Sequence, residues 1–294
     1  MNGIINVLKP PGMTSFDVVS YLRGLLKQRK IGHTGTLDPG AVGVLPICFG
    51  SATKAIDYIM NKNKIYRVEL TLGTETDTQD SFGNVINTCE VKVSEQDIIN
   101  VINSFKGKYL QVPPMYSAIK VNGKKLYELA RKGVEIDRNP REVEIYKIEI
   151  IRQSKGRVLF DVSCSKGTYM RTLCSDIGKK LGCGAHMSFL VRMAVGNMHI
   201  YSALTLEDIL YFYKTKQLDS KIIKIDSVLE EYKPVMLNSF EERKFSNGAA
   251  AKICGNFFKT GELVRVYSTD NKFIALGEIV NSQKGVFVKV KKFF

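Results

Sequence analysis

The stretch Gly32-His33-Thr34-Gly35-Thr36-Leu37-Asp38-Pro39-Gly40-Ala41-Val42-Gly43-Val44-Leu45-Pro46 is where the reading of this chain is decided. Glycine and proline recur through it, so it must be a loop of specific shape rather than the interior of a helix or strand. It holds one carboxylate, Asp38, and one imidazole, His33. Three readings are open. A glycine-rich loop can cradle a phosphate, but neither G-x-x-x-x-G-K-[ST] nor G-x-G-x-x-G occurs. A carboxylate placed before a proline in a rigid loop is a candidate nucleophile. A plain turn, with Asp38 bonding nearby amides, is the commoner use of such residues.

Outward from the loop, Ser15 to Lys30 has Val18, Val19, Leu22, Leu25 and Leu26 at helical spacing. Ser15 is the expected cap, Asp17 suits the first turn, and Lys27, Arg29 and Lys30 suit the end. On the other side, Lys64 to Gly73 alternates, with Tyr66, Val68, Leu70 and Leu72 on one face and Arg67, Glu69 and Thr71 on the other. Ser94 to Asp97 resembles a capping box before Ile98, Ile99, Val101, Ile102 and Phe105. Val143 to Ile151 and Val158 to Ser165 read as a strand pair around Lys155-Gly156, and Thr168 to Leu181 as a helix. The irregular mixture predicts an α+β fold with a mixed sheet. After residue 232 the texture changes to short strand-like runs, Leu263–Ser268, Lys272–Ile279 and Gly285–Lys291, separated by turn residues. The expected organisation is a large domain over 1–232 and a small β-barrel-like module over 233–294.

Two more segments carry candidate chemistry. Between Gln111 and Glu142, Tyr116 and Tyr127 interleave with Lys120, Lys124, Lys125, Arg131 and Lys132. Cations for phosphates and aromatics for bases are how proteins hold unpaired nucleic acid, although a solvated basic loop is the blander reading. In Ser163-Cys164-Ser165-Lys166-Gly167-Thr168-Tyr169-Met170-Arg171, Arg171 falls in the first turn of a helix, where the dipole disfavours a cation. A specific anionic partner explains that placement; so does a surface salt bridge.

Composition bounds the partner. The chain has 294 residues and a net charge of +14, with 44% hydrophobic and 24% charged residues, which excludes fibrous and disordered classes. The basic excess points to a polyanion, nucleic acid or an acidic membrane surface. No secretory signal opens the sequence, and the uncharged run from Pro39 to Thr53 is too short to span a bilayer, so the expectation is a cytoplasmic protein with no membrane partner. Six cysteines form no C-x-x-C pair and sit among apolar or small residues, as buried thiols do; with only three histidines, no metal site is expected.

In order, these segments resemble the bacterial family of tRNA pseudouridine-55 synthases. The resemblance rests on Lys9-Pro10-Pro11-Gly12-Met13-Thr14-Ser15, the Gly32–Pro46 loop, and Tyr66 followed by Leu72-Gly73, Thr76-Asp77-Thr78, Asp80 and Gly83. The Gln111–Gly123 segment and Gly167-Thr168-Tyr169-Met170-Arg171 complete it. It implies a pseudouridine synthase catalytic domain followed by a PUA-like RNA-binding domain. The implied reaction isomerises uridine 55 of the tRNA T-loop without a cofactor, after base flipping. Asp38 is implied as the essential carboxylate, Arg171 as its partner, and Tyr66 as stacking platform and candidate proton acceptor. His33, Tyr169 and Leu190 are implied to contact the substrate, and Lys9, Lys120, Lys124, Lys125, Arg131 and Lys132 to contact RNA. A stand-alone monomer acting on the T-arm is expected. The rivals are a guide-RNA-dependent synthase and a non-catalytic RNA-folding protein. One departure is Leu190-Val191-Arg192, where the family often has Leu-Arg-Arg.

Overall fold

The computed structural model describes residues 1–117, 119–121, 123–253, 258–283 and 285–294, apart from the side chains of Lys120 and Lys125. The strands in chain order are β1 (Gly3–Lys9), β2 (Ile31–His33), β3 (Val42–Phe49), β4 (Lys64–Leu72), β5 (Thr74–Thr76), β6 (Val85–Thr88), β7 (Gly107–Gln111), β8 (Lys120–Val121) and β9 (Lys124–Lys125). They continue with β10 (Arg141–Ser154), β11 (Arg157–Cys164), β12 (Ala185–Val195), β13 (Met198–His199), β14 (Lys233–Met236), β15 (Ala251–Lys252), β16 (Leu263–Tyr267), β17 (Phe273–Ser282) and β18 (Gly285–Phe293). The α-helices are α1 (Ser15–Leu26), α2 (Ile56–Met60), α3 (Glu95–Asn103), α4 (Leu126–Ala130), α5 (Met170–Leu181), α6 (Leu206–Lys214) and α7 (Ser239–Ser246). The α+β expectation holds.

One nine-stranded sheet organises the large domain, in the order β1-β3-β12-β4-β11-β10-β7, with β2 on β3 and β13 on β12. All its pairings are antiparallel except β12 with β3. The alternation in β4 emerges as expected: Val68, Leu70 and Leu72 are buried and pack with Tyr66 into a core that α3 and α5 cover through Ile98, Ile102, Leu173 and Ile177. On β1 and β3, Ile5, Val7, Leu45, Ile47 and Phe49 pack against Val18, Val19 and Leu22 of α1 and Ile209 of α6.

Some local expectations change. The cap of α1 is Thr14, not Ser15: Asp17 N–H donates to Thr14 Oγ1 (3.0 Å), and Thr14 N–H donates to Asp17 Oδ2 (2.8 Å). The helix also stops at Leu26, because Lys27 takes a left-handed φ of 48°. Cys48, Cys164, Cys174 and Cys183 are buried, but Cys89 is exposed; Cys254 lies outside the described residues.

The second sheet begins at Lys233 and has five strands, β14-β16-β17-β18-β15, curled around Val235, Phe245, Val264, Val266 and Val288. It is fastened to the large domain. Leu276, Phe273 and Phe294 join a core with Ile4, Val44, Cys48 and Ile59. Lys54 Nζ donates to the Phe293 carbonyl at 2.8 Å, and Tyr267 Oη donates to Asp226 Oδ2 at 3.0 Å.

Candidate active site

The Gly32–Pro46 segment is not loop throughout: its ends belong to β2 and β3, and only residues 34–41 form the loop between them. Leu37 and Ala41, each 3% exposed, are anchored in the core on either side of Asp38. The turn between them closes with Ala41 N–H donating to the Asp38 carbonyl at 3.0 Å. Thr14 does the capping of α1, so the Ser15 hydroxyl is free to clasp Leu37. It accepts from Leu37 N–H at 2.8 Å and donates to the Leu37 carbonyl at 3.2 Å. The Pro39 carbonyl accepts from Gly12 N–H (2.9 Å) and Lys9 Nζ (3.1 Å).

Lys9 was expected to contact RNA, and the structure corrects this. Lys9 is 0% exposed, and its ammonium is spent on the carbonyls of Pro10, Met13 and Pro39. Burial lowers its pKa from 10.5 to about 8, against the attraction of Asp38, which raises it. The Lys-Pro-Pro-Gly-Met-Thr-Ser segment is thus the cradle of the Asp38 loop.

Register delivers the other walls. β4 pairs with β12 so that Val68 faces Leu190 and Tyr66 faces Arg192. β12 in turn meets the start of β3, with Val191 opposite Val42 and Arg192 opposite Gly43. Gly43 has φ +121°, and a Cβ there would fall 2.3 Å from the Arg192 carbonyl oxygen, so glycine is required for this approach. Arg192, 1% exposed, donates through Nε to the Val44 carbonyl (2.7 Å) and through Nη2 to the Gly35 carbonyl (3.1 Å). Its charge also acts on the Tyr66 phenol, across the strand pair. Sequence reading noticed Arg192 only as the residue after Val191; its part as a buried strut follows from the strand order. Val191 itself pairs within the sheet interior.

Arg171 enters from the start of α5, whose first turn is fixed by Gln111. The Gln111 side chain accepts from Tyr169 N–H (2.8 Å) and donates to the Tyr169 carbonyl (3.0 Å). Arg171 Nε lies 3.0 Å from Asp38 Oδ2, and Nη2 donates to Asp38 Oδ1 at 3.3 Å. The pairing is bidentate, the geometry that fixes direction as well as charge. The same guanidinium donates to the carbonyls of Tyr116 (2.8 Å) and Thr78 (3.3 Å) and lies 3.9 Å from Asp80 Oδ2. Asp80 is 9% exposed and accepts from the Thr78 hydroxyl (2.6 Å). The surface-salt-bridge reading of Arg171 therefore fails: its side chain is only 7% exposed.

Asp38 retains an open edge, with 38% of its side chain exposed. Partial burial raises its pKa above the ordinary carboxylate value, and Asp80 adds to the rise; Arg171 and Lys9 oppose it. Burial likewise raises the Tyr66 phenol, opposed by Arg192, so the hydroxyl is protonated at neutral pH. His33 is half-buried, its Nδ1 accepts from Gly35 N–H at 3.3 Å, and burial beside Arg192 lowers its pKa.

The structure thus gathers Asp38, Arg171, Tyr66 and Leu190 at one place, with Tyr169 at the cap of α5 and His33 at the loop's start. Lys124, Arg131 and Lys132 are exposed, and Arg131 lies over the Tyr127 ring at 5.4 Å. The side chains expected of Lys120 and Lys125 lie outside the described residues. No cluster of three or more metal-ligating side chains occurs among the described residues.

This geometry has relatives. The family model "TruB family pseudouridylate synthase (N terminal domain)" matches residues 23–170, and "tRNA pseudouridylate synthase B C-terminal domain" matches 171–232. The chain belongs to the TruB family of pseudouridylate synthases. A tRNA pseudouridine synthase B from Clostridioides difficile is 47% identical over the full length of both chains. One from Clostridium kluyveri is 49% identical over 94% of this chain and 95% of its own. Among solved structures, a Cbf5-Nop10-Gar1 complex matches with TM-score 0.76 at 30% identity, covering 99% of this chain and 84% of that one. An H/ACA RNP bound to a substrate RNA containing 2′-deoxyuridine matches with TM-score 0.75 at 28% identity, with the same coverage. The join between the two TruB family models falls at the start of α5, so both contribute strands to one sheet.

Among the described residues, no helix is long and apolar enough to cross a membrane.

Proposed function

We propose that this TruB-family chain converts uridine 55 in the T-loop of tRNA to pseudouridine, with Asp38 as the essential nucleophile. The observation that carries the reading is the Asp38–Arg171 pair, bidentate and open on one edge, beside Tyr66 and Leu190. The N1–C1′ bond breaks, the uracil turns, a C5–C1′ bond forms, C5 gives up its proton, and N1 gains one. Arg171 holds the carboxylate ionised and aimed. Leu190 and Tyr66 wall the pocket, and Tyr66 stacks on the base. Tyr66 accepts the C5 proton only if its phenol is first deprotonated, a step the neighbouring Arg192 charge favours. His33 and Tyr169 line the entrance.

Exposed Lys124, Arg131 and Lys132 hold the tRNA backbone together with the +6 module over 233–294, read here as PUA-like. A cytoplasmic location fits this work. The tRNA pseudouridine synthase B relatives at 47–49% identity favour a stand-alone enzyme over the guide-RNA type; the Cbf5 and H/ACA RNP structures match at 28–30%. The test is incubation of the full chain with an unmodified T-arm transcript and no other RNA or protein, followed by mapping of pseudouridine at nucleotide resolution. Product at position 55 supports the reading. Product only when a guide RNA is added favours the alternative, and no product with either removes both.

A further inference from the structure

Phe82 is an exposed aromatic residue that neither the resemblance nor the site chemistry uses. It is 80% exposed, more than any other exposed phenylalanine among the described residues. Leaving such a ring in water forgoes the favourable burial of its apolar surface.

The residue is nevertheless held in place. Its N–H donates to Asp80 Oδ1 at 3.0 Å, on the same carboxylate that faces Arg171. Asp80 is itself bridged to Met187 of β12, and Met187 N–H donates to the Gln79 carbonyl at 3.0 Å. The ring's edge reaches the catalytic loop: a Cβ on Gly40 would fall 2.1 Å from Phe82 Cε2 and 2.4 Å from Cζ. Gly40 lies two residues after Asp38 in the same closed turn. Among the described residues the ring has no aromatic neighbour within stacking geometry and no cation over it.

We infer that Phe82 is a stacking shelf for an unpaired base of the RNA, the one next to the nucleotide that enters the Asp38 pocket. The position decides between the target base and its neighbour. Tyr66 is half-buried in the core beside Leu190, whereas Phe82 stands in solvent against Gly40 of the Asp38 turn. A flipped nucleotide leaves its neighbours partly unstacked, and an aromatic face at the rim recovers that stacking whatever the base. The inference rests on the proposed RNA substrate.

The test uses a property of the whole chain: it contains no tryptophan, so Phe82→Trp places a single indole at the shelf. In the full-length chain carrying Phe82→Trp and Asp38→Asn, indole fluorescence is titrated with a T-arm stem-loop while binding is followed independently by filter retention. Quenching that saturates together with binding supports the shelf. Binding without any change in emission overturns it. In the otherwise unaltered chain, Phe82→Ala and Phe82→Leu should each weaken T-arm binding about 5- to 100-fold, while Phe82→Tyr stays within about threefold. Leucine keeps the apolar volume and lacks the π face, so a leucine variant that binds like phenylalanine also overturns the proposal. The melting temperature should not move in any of them. If neither the wild-type chain nor the variants retain the T-arm, the RNA reading itself has failed, an outcome distinct from binding without quenching.

Discussion

Replacing Arg171 by alanine perturbs four things at once. Asp38 loses a bidentate partner at 3.0 and 3.3 Å, Asp80 loses a neighbouring cation, and the carbonyls of Tyr116 and Thr78 lose a donor. Breaking a fully buried pair commonly costs about 3–5 kcal/mol. Asp38 is 38% exposed, so water screens part of the loss, and about 2 kcal/mol is the appropriate figure here. For a chain of this size that corresponds to a fall in Tm of about 4 °C. The chemistry should suffer more. With Arg171 gone, burial and Asp80 still raise the Asp38 pKa, and of the two opposing cations only Lys9 remains. The acid limb of the rate profile should therefore move up by about 1 pH unit, toward the range an adjacent cation normally prevents. The assay is single-turnover release of tritium from C5-labelled uridine in tRNA, measured from acid to neutral pH beside a calorimetric melt. Arg171→Lys restores a charge but not the two-pronged grip. It should return the acid limb most of the way while leaving the plateau rate depressed at least tenfold. An alanine variant with an unmoved acid limb and an unchanged Tm would refute the pairing.

Other perturbations have equally definite outcomes. Asp38→Asn should abolish isomerisation yet leave Tm at pH 7 no lower than wild type. The Asp38 pKa is raised in the folded state, so its stabilising contribution is present below the unfolded value near 3.8 and is lost as pH rises through the folded pKa; a loss of several degrees at pH 7 contradicts this. Asp80→Asn removes a like charge that raises the Asp38 pKa, so the acid limb should shift to lower pH, and a shift to higher pH argues against the coupling. Lys9→Met strips the Pro39 carbonyl of one donor and should lower the plateau rate about tenfold or more, while leaving the salt dependence of tRNA binding unchanged. Triple replacement of Lys124, Arg131 and Lys132 by alanine should do the reverse, flattening the plot of log affinity against log salt by about 0.7–0.9 per lost phosphate contact. Deleting residues 233–294 should lower the Tm of what remains, because it uncovers Ile4, Val44 and Cys48; an unchanged Tm is evidence against the shared core.

What could be read in advance followed from local physics. Period-two alternation placed Tyr66 with Val68 and Leu70 on one face, and that face is the core side of the site. Arg171 was noticeable because a cation in the first turn of a helix opposes the dipole, and its partner proved to be the one carboxylate of the glycine-rich loop. The errors have physical causes too. Lys9 was placed at the RNA surface by the resemblance alone, since nothing in the local sequence shows where its side chain goes. Only the folded turn shows its ammonium curling onto three carbonyls. Arg192 depends on β12 lying between β3 and β4, a register that no local window contains. Phe82 sits in a loop with no periodicity to mark it. The strands β14 and β15 are four and two residues long and leave too little pattern to detect.

The +14 charge looks uniform in a count, but the fold divides the cations by task. Lys9, Arg171 and Arg192 are each under a tenth exposed, and their donors go to backbone carbonyls and to Asp38. Buried cations are costly unless fully paired, so these three are retained where the loop needs rigid donors pointing inward. Lys124, Arg131 and Lys132 keep their charges in water, where counterion release can reward contact with phosphate. The same residue chemistry thus serves two ends, separated by dielectric. Inside, a cation opposes the burial that favours one carboxylate's proton and fixes the direction of its oxygens. Outside, in the proposed function, a cation brings the polyanion to that carboxylate. That division is why substitutions in the first group should change rate and its pH dependence, and substitutions in the second should change affinity and its salt dependence.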